Sequence, residues 1–351
     1  MGIRDRIVRR YKASKQGPGA KLREHMKLVA ASLALAVAAV AQIHIDTDSG
    51  YFADDGVALT MVLRSARRAE VQGITVVSGN VWSLEGAEFM ARNAKLLGLP
   101  NLPVLIGSEA PILHTAAMSK KESPLEFTGA FATPQPTLHP PHGGLDLLIR
   151  NIEAAPGKIT ILAIGPLTNL AIALRLRPDI EAKIGSIVMM GGAVRVPGNA
   201  SKSAEFNFWF DPEAAQVIMR SSIAKKVLLP LDASIQAVFS KKLFDEVVAA
   251  KTPITALYKE DFGNRYPGFL KRPWVRSMLW DELAAAYLVQ PSLVTRRETL
   301  YLDIDTTFGP KYGAVRTLDR SLAPNATPVE TIFNMDVPKV FDLYRRALVA
   351  K

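Results

Sequence analysis

Cysteine is absent from the 351 residues, which excludes disulfides and thiolate chemistry; this is compatible with export from the cell but does not demonstrate it. No run of roughly 20 apolar residues occurs, so no stable membrane span is expected. No internal repeat is visible. A basic groove for nucleic acid is missing too, although the net charge of +10 suggests one at first sight. Residues 1–41 hold nine Lys or Arg against two Asp or Glu, so +7 of the charge sits there and only +3 belongs to the remainder.

What is present begins with a leader. Residues 28–41, LVAASLALAVAAVA, follow a basic stretch ending in Lys27 and finish in Ala39-Val40-Ala41 before the polar Gln42. The run is too short for a bilayer but has the form of an export-signal hydrophobic region with a small-x-small cleavage site. The sequence therefore divides into a targeting segment, 1–41, and a folded domain, 42–351, with Met26 as an alternative start. A secreted or periplasmic location is expected, or a cytoplasmic one if the leader does not function.

From Gln42 onward, short β-branched runs alternate with helical periodicity, which predicts an α/β fold with a mainly parallel central sheet flanked by helices. Strands are expected at Ile43–Asp48, Val71–Val77, Val104–Ile106, Ile159–Ile164, Ile187–Met190 and Lys226–Leu229. Helices are expected at Asp54–Ala66, Leu84–Leu97, Leu145–Ala154, Leu167–Leu176, Pro212–Arg220 and Val337–Ala350. Residues 111–143 read as a long loop, and about 263–280 as a second irregular region.

The segment Ile45–Leu59, IDTDSGYFADDGVAL, places Asp46, Asp48, Asp54 and Asp55 on the exit from the first strand, where ligands of such folds bind. Carboxylates this close repel unless a cation lies between them, and Ca²⁺ and Mg²⁺ both suit oxygen ligands. A single Asp capping the next helix is the plainer reading. Further clusters fall at strand ends: Ser78-Gly79-Asn80, Gly165 to Asn169, Met189 to Gly192 leading to Asn199 and Glu205-Phe206-Asn207, and Trp280-Asp281-Glu282. Taken singly, each reads equally well as a turn, a helix cap or a solvated group.

Taken together, these residues resemble the inosine-uridine-preferring nucleoside hydrolase family. The likeness runs through Asp46-Thr47-Asp48-Ser49-Gly50, Asp54-Asp55, VVSGN (Val76–Asn80), IGPLTN (Ile164–Asn169), MMGGA (Met189–Ala193), the segment Asn199–Ala215 and WDELAAAYL from Trp280. The resemblance implies hydrolysis of the N-glycosidic bond of ribonucleosides through a calcium-bound water. It implies Ca²⁺ held by Asp48, Asp55, Asp281 and the backbone carbonyl of Ile164, with Asp54 as general base. It also implies ribose binding by Asn80, Asn199, Glu205 and Asn207. Met190 and Phe206 join the substrate-binding set, and Asn199 counts with Asp54 and Trp280 among the catalytic groups. A homodimer or homotetramer is implied by the resemblance alone.

The chain departs from the family pattern in four places. Ser49 stands where Pro is frequent, two extra residues separate Gly50 from the Asp pair, and Phe52 occupies a position where some branches have another Asp. Trp280 replaces the His that protonates the leaving base in the pyrimidine-accepting branch; the branch with Trp there is purine-selective and stacks it on the base. Purine nucleosides are therefore the expected substrates. His114, His139 and His142 lie in the long loop and read as solvated. Two rivals compete: a phosphatase built on Asp46-Thr47-Asp48, and a non-catalytic calcium and ribose-binding protein on the same fold.

Overall fold

The structure is a computed structural model that describes residues 42–49, 52, 54–65, 67–115, 141–155, 157–265, 276–322 and 327–350. The expected leader, residues 116–140 of the long loop with His139, and the glycine and prolines of 266–275 lie outside these. Eleven strands are present among the described residues: β1 Ile43–Thr47, β2 Val71–Val76, β3 Val104–Ile106, β4 Ile159–Ala163, β5 Ile184–Met190, β6 Lys226–Leu229, β7 Val238–Ser240, β8 Arg276–Met278, β9 Val294–Ile304, β10 Val315–Leu318 and β11 Val329–Met335. The helices that matter below are α1 Asp55–Leu63, α2 Ser83–Leu96, α3 Gly144–Ala154, α4 Thr168–Leu176, α5 Phe206–Phe210, α6 Pro212–Arg220, α7 Lys241–Val248, α8 Pro253–Arg265, α9 Asp281–Val289 and α10 Val337–Val349.

Nine strands form one sheet in the order β10-β9-β11-β6-β5-β4-β1-β2-β3. From β11 to β3 every neighbouring pair is parallel, whereas β9 runs antiparallel to both β11 and β10. The parallel strands read as nearly continuous apolar runs because both faces of the sheet are covered. In β4 and the residue after it, Leu162 and Ile164 face one core and Ile159, Ile161 and Ala163 the other; β5 divides in the same way, Val188 and Met190 against Ile187 and Met189. Residues of α1, α2, α9 and α10 complete the first core, and residues of α3, α4 and α6 the second.

This strand order has one decisive property. Counting outward from β1, the chain builds β2 and β3 on one side, then returns to build β4, β5 and β6 on the other, so the order reverses between β1 and β4. Loops leaving two such strands part in opposite directions and open a crevice at their carboxyl ends. The register pairs Asp46 with Ala163. Asp48 and Ile164, which follow within two residues of that pair at the two strand ends, flank that crevice.

The expected boundaries hold to within a few residues up to β6. Beyond it, β9 and β11 carry no strand expectation in the sequence, and β9 shows why: only its last three residues, Leu302 to Ile304, are buried, and Arg and Glu fill its first half. The region around 263–280 is less irregular than expected, since α8 runs to Arg265 and β8 pairs antiparallel with β7. That ribbon leads directly into Trp280, with Leu279 N donating to Ala237 O at 3.0 Å.

Candidate active site

Four neighbouring strands, β5, β4, β1 and β2, run out at or just before Met190, Ile164, Asp48 and Asn80, so one expected site residue stands near the end of each. Asp48 is held tightly. Asn80 donates to its carboxylate twice, from the backbone N at 2.7 Å and from Nδ2 at 3.3 Å. The glycines of two motifs explain themselves here, because a Cβ on Gly79 would lie 2.0 Å from Asp48 Oδ2 and one on Gly165 would lie 2.8 Å from Asp48 N. Both loops close on this one side chain only because they lack a Cβ.

Asp54 and Asp55 start α1, and Asp281 and Glu282 start α9. One carboxylate oxygen each from Asp54, Asp55 and Asp281 lies within 4.8 Å of the others, and all three residues are buried. The amino ends of two nine-residue helices thus meet at one cluster, where their dipoles favour negative charge. Thr47 Oγ1 donates to Asp55, and Asp281 N donates to Asp54 Oδ1 at 3.3 Å. Asp54 makes no side-chain cap bond to α1, which removes the plain capping reading.

Burial raises Asp281 well above the usual carboxylate range, and the charges of Asp54, Asp55 and Asp48 raise it further. Glu282 is raised by burial and then by Asp54, to which it is hydrogen-bonded. Oxygen donors crowded against their own repulsion fit a hard divalent cation, which would offset both causes. Asp48 stands outside the close trio but within reach of its field. Phe52 adds no carboxylate: it is fully buried, edge-on to Phe89 and Tyr258, so the two-residue expansion anchors its loop in the core.

Asp46 lies behind the cluster. Its Oδ1 accepts from Asn169 Nδ2 at 2.7 Å and from Thr75 Oγ1, and burial pushes its pKa up to about 7. Thr75 is in turn 3.0 Å from His44 Nε2, and Asn151 Nδ2 lies 3.0 Å from His44 Nδ1. Burial holds His44 down to about 3, so the ring is neutral, and Asn151 selects the tautomer with the proton on Nε2. Asn169 does not cap α4; its Oδ1 accepts from Ser108 N at 2.7 Å, which joins β1 to the residues after β3 and β4.

On the other flank, Glu205 caps α5. It accepts from Asn207 N at 2.9 Å, Phe208 N at 3.2 Å and Gly192 N at 2.7 Å, and burial nonetheless raises its pKa to about 7. With a further bond from Phe206, four backbone amides surround this carboxylate. Asn207 Nδ2 donates to Met190 O at 3.2 Å, and Asn199 Oδ1 accepts from Phe206 N at 2.9 Å. Phe206 is buried beside Trp209 and Phe210, while Asn199 is exposed. Trp280 is half-buried against the first core, and its N donates to Glu282 Oε2 at 3.0 Å.

Of two loop histidines described, one keeps to the sequence reading and one corrects it. His142 is exposed beside Glu109, as expected. His114 is not solvated: it is buried edge-on to Trp209 and Tyr312, and its Nδ1 lies 3.0 Å from Trp209 O and 3.2 Å from Phe210 O, at the end of α5. Glu282 received no role from the sequence, because an acid in the first turn of a helix needs no explanation there.

Residues 43–342 match the family model described as inosine-uridine preferring nucleoside hydrolase. The chain belongs to this family. It is accordingly a nucleosidase, and both the phosphatase and the non-catalytic sugar-binding readings are set aside. Among curated relatives, the pyrimidine-specific ribonucleoside hydrolase RihA of Salmonella agona (strain SL483) is 32% identical over 259 residues, covering 73% of this chain and 82% of the relative. Among solved structures, a plant nucleoside hydrolase superposes with a TM-score of 0.73 at 25% identity, covering 89% of this chain and 99% of that one. The purine-preferring ribonucleoside hydrolase from Gardnerella vaginalis shares the fold at a TM-score of 0.71 and 24% identity, covering 88% and 98%. No helix among the described residues is long and apolar enough to cross a membrane.

Proposed function

We propose that this nucleosidase hydrolyses ribonucleosides with bound Ca²⁺ and favours purine over pyrimidine bases. The observation that carries the reading is the buried trio Asp54, Asp55 and Asp281, with half-buried Trp280 adjoining it in the chain. Asp55, Asp281, Asp48 and the Ile164 carbonyl would hold the ion. When bound, Ca²⁺ offsets the carboxylate charge and acidifies water at the site.

Asp54 removes the proton from the water that attacks the anomeric carbon. Asn80, Asn199, Glu205 and Asn207 bind the ribose hydroxyls, and Met190 and Phe206 give the sugar its apolar contacts. As the glycosidic bond breaks, positive charge grows on the sugar ring, and Asn199 and the carboxylates lower its energy. Trp280 cannot act as an acid at neutral pH. It stacks on the leaving base, and the two-ring purine offers it the larger face; solvent protonates the purine. The name of the Salmonella relative favours the opposite preference, and the test decides between them.

Release of the free sugar from inosine, guanosine, uridine and 2′-deoxyinosine is measured with Ca²⁺ and with a chelator. Inosine and guanosine are expected to be cleaved faster than uridine, 2′-deoxyinosine to be rejected because the hydroxyl-binding groups lose a partner, and chelation to abolish activity. Faster cleavage of uridine than of inosine overturns the purine preference, and unchanged activity in chelator overturns the ion. We further propose export of the chain with cleavage after Ala41. N-terminal sequencing of protein from the native host is expected to begin at Gln42, and a start at Met1 removes this proposal.

A further inference from the structure

Glu205, Phe206 and Asn207 lie at the opening of α5, a helix of only five residues. A helix this short has few bonds of its own, so its orientation is set by what holds its two ends. At the amino end, Glu205 accepts from Asn207 N, Phe208 N and Gly192 N. At the other end, the last carbonyls of a helix find no partner within it. His114 meets them there: its Nδ1 lies 3.0 Å from Trp209 O and 3.2 Å from Phe210 O. A carbonyl only accepts, so Nδ1 carries the proton. The ring is 3 % exposed and packs edge-on to Trp209 and Tyr312. Two residues earlier, Ile112 N donates at 3.0 Å to Asp211 Oδ2, which also accepts from Thr168 Oγ1 at 2.6 Å. Asp211 Oδ1 accepts from Ala214 N at 3.0 Å and so caps α6. Residues 112–114 are thereby fixed to the junction of α5 and α6 and to the start of α4.

We propose that His114 is a positioning residue for ribose binding, fixing the carboxyl end of α5 so that Glu205 and Asn207 keep their places at the sugar. The inference rests on the reading of those two residues as ribose-binding groups. It assigns His114 no contact with substrate or ion. A group that acts by placing α5 should change KM more than kcat, and its effect should shrink once Asn207 has lost its side-chain amide.

The test uses the full chain with Ca²⁺ present and follows kcat and KM for inosine together with the melting temperature. His114→Phe keeps a buried ring without the donor, and is expected to raise KM about tenfold with kcat within about threefold. His114→Leu also lacks the donor; it is expected to match His114→Phe and replaces it if the phenylalanine variant does not fold. His114→Asn puts an amide N–H near the place of Nδ1. It is expected to keep KM within about threefold of wild type, even where the lost ring lowers the melting temperature. In an Asn207→Ala background, loss of the His114 donor is expected to raise KM by no more than about threefold. KM within about threefold of wild type in the donor-less variants, an equal rise in His114→Asn, a fall in kcat as large as the rise in KM, or effects additive with Asn207→Ala each overturns the inference. Unchanged KM in Asn207→Ala alone overturns the underlying ribose reading instead.

Discussion

A buried carboxylate costs several kcal/mol unless its charge is matched, and this protein gathers Asp48, Asp54, Asp55, Asp281 and Glu282 around one crevice. Asp54 differs from its neighbours in being turned towards the amide of Asp281 rather than into its own helix. Asp54→Asn keeps the size and the hydrogen-bond acceptor but cannot take a proton. It is expected to lower kcat on inosine by about 10²–10⁴-fold with little change in KM. A loss confined to KM would reassign Asp54 to ribose binding. At this scale the sequence was informative where motifs carry spacing, as with Asp48 beside Gly79 and Asn80. It was silent on Glu282 and wrong about His114, because burial of a polar side chain depends on what folds over it and leaves no local pattern.

Elements show the same division. Strands β1 to β6 were legible because two covered faces favour apolar residues along most of each run, whereas β9 has an exposed half and reads as a polar segment. The buried Lys226 escaped notice for a related reason, since a lysine in a short strand suggests an edge. It is 1 % exposed, and its Nζ donates to Met219 O at 2.7 Å, Ser221 O at 2.9 Å and Thr327 Oγ1, closing the carboxyl end of α6. Lys226→Met takes this donor from the buried Met219 O, while Ser221 O keeps Thr327 Oγ1. It is expected to destabilise the protein by about 2–4 kcal/mol, read as a lower urea midpoint with an unchanged slope. A midpoint within error of wild type would show that α6 ends without this cap.

For the whole molecule, burial of acids makes stability depend on pH with an unusual sign. Glu205, ordinarily near 4.5, titrates at about 7 in the folded chain, and Asp46 is raised to about 7 as well. A folded state that holds protons more tightly than the unfolded one gains stability below the unfolded pKa and loses it as pH rises through the folded value. With chelator present, the urea midpoint is expected to fall between pH 5 and pH 8, and to fall less in Glu205→Gln. Equal drops in the two proteins would remove Glu205 from the account. The reversal of strand order between β1 and β4 has a kinetic counterpart. A chain that has assembled only β1 to β3 holds Asp48, Asp54 and Asp55 but neither Ile164 nor Asp281, which must arrive from sequence-distant segments. Contacts of such separation form slowly, so a cation held jointly by these residues would be bound late in folding, and its binding would report the finished sheet.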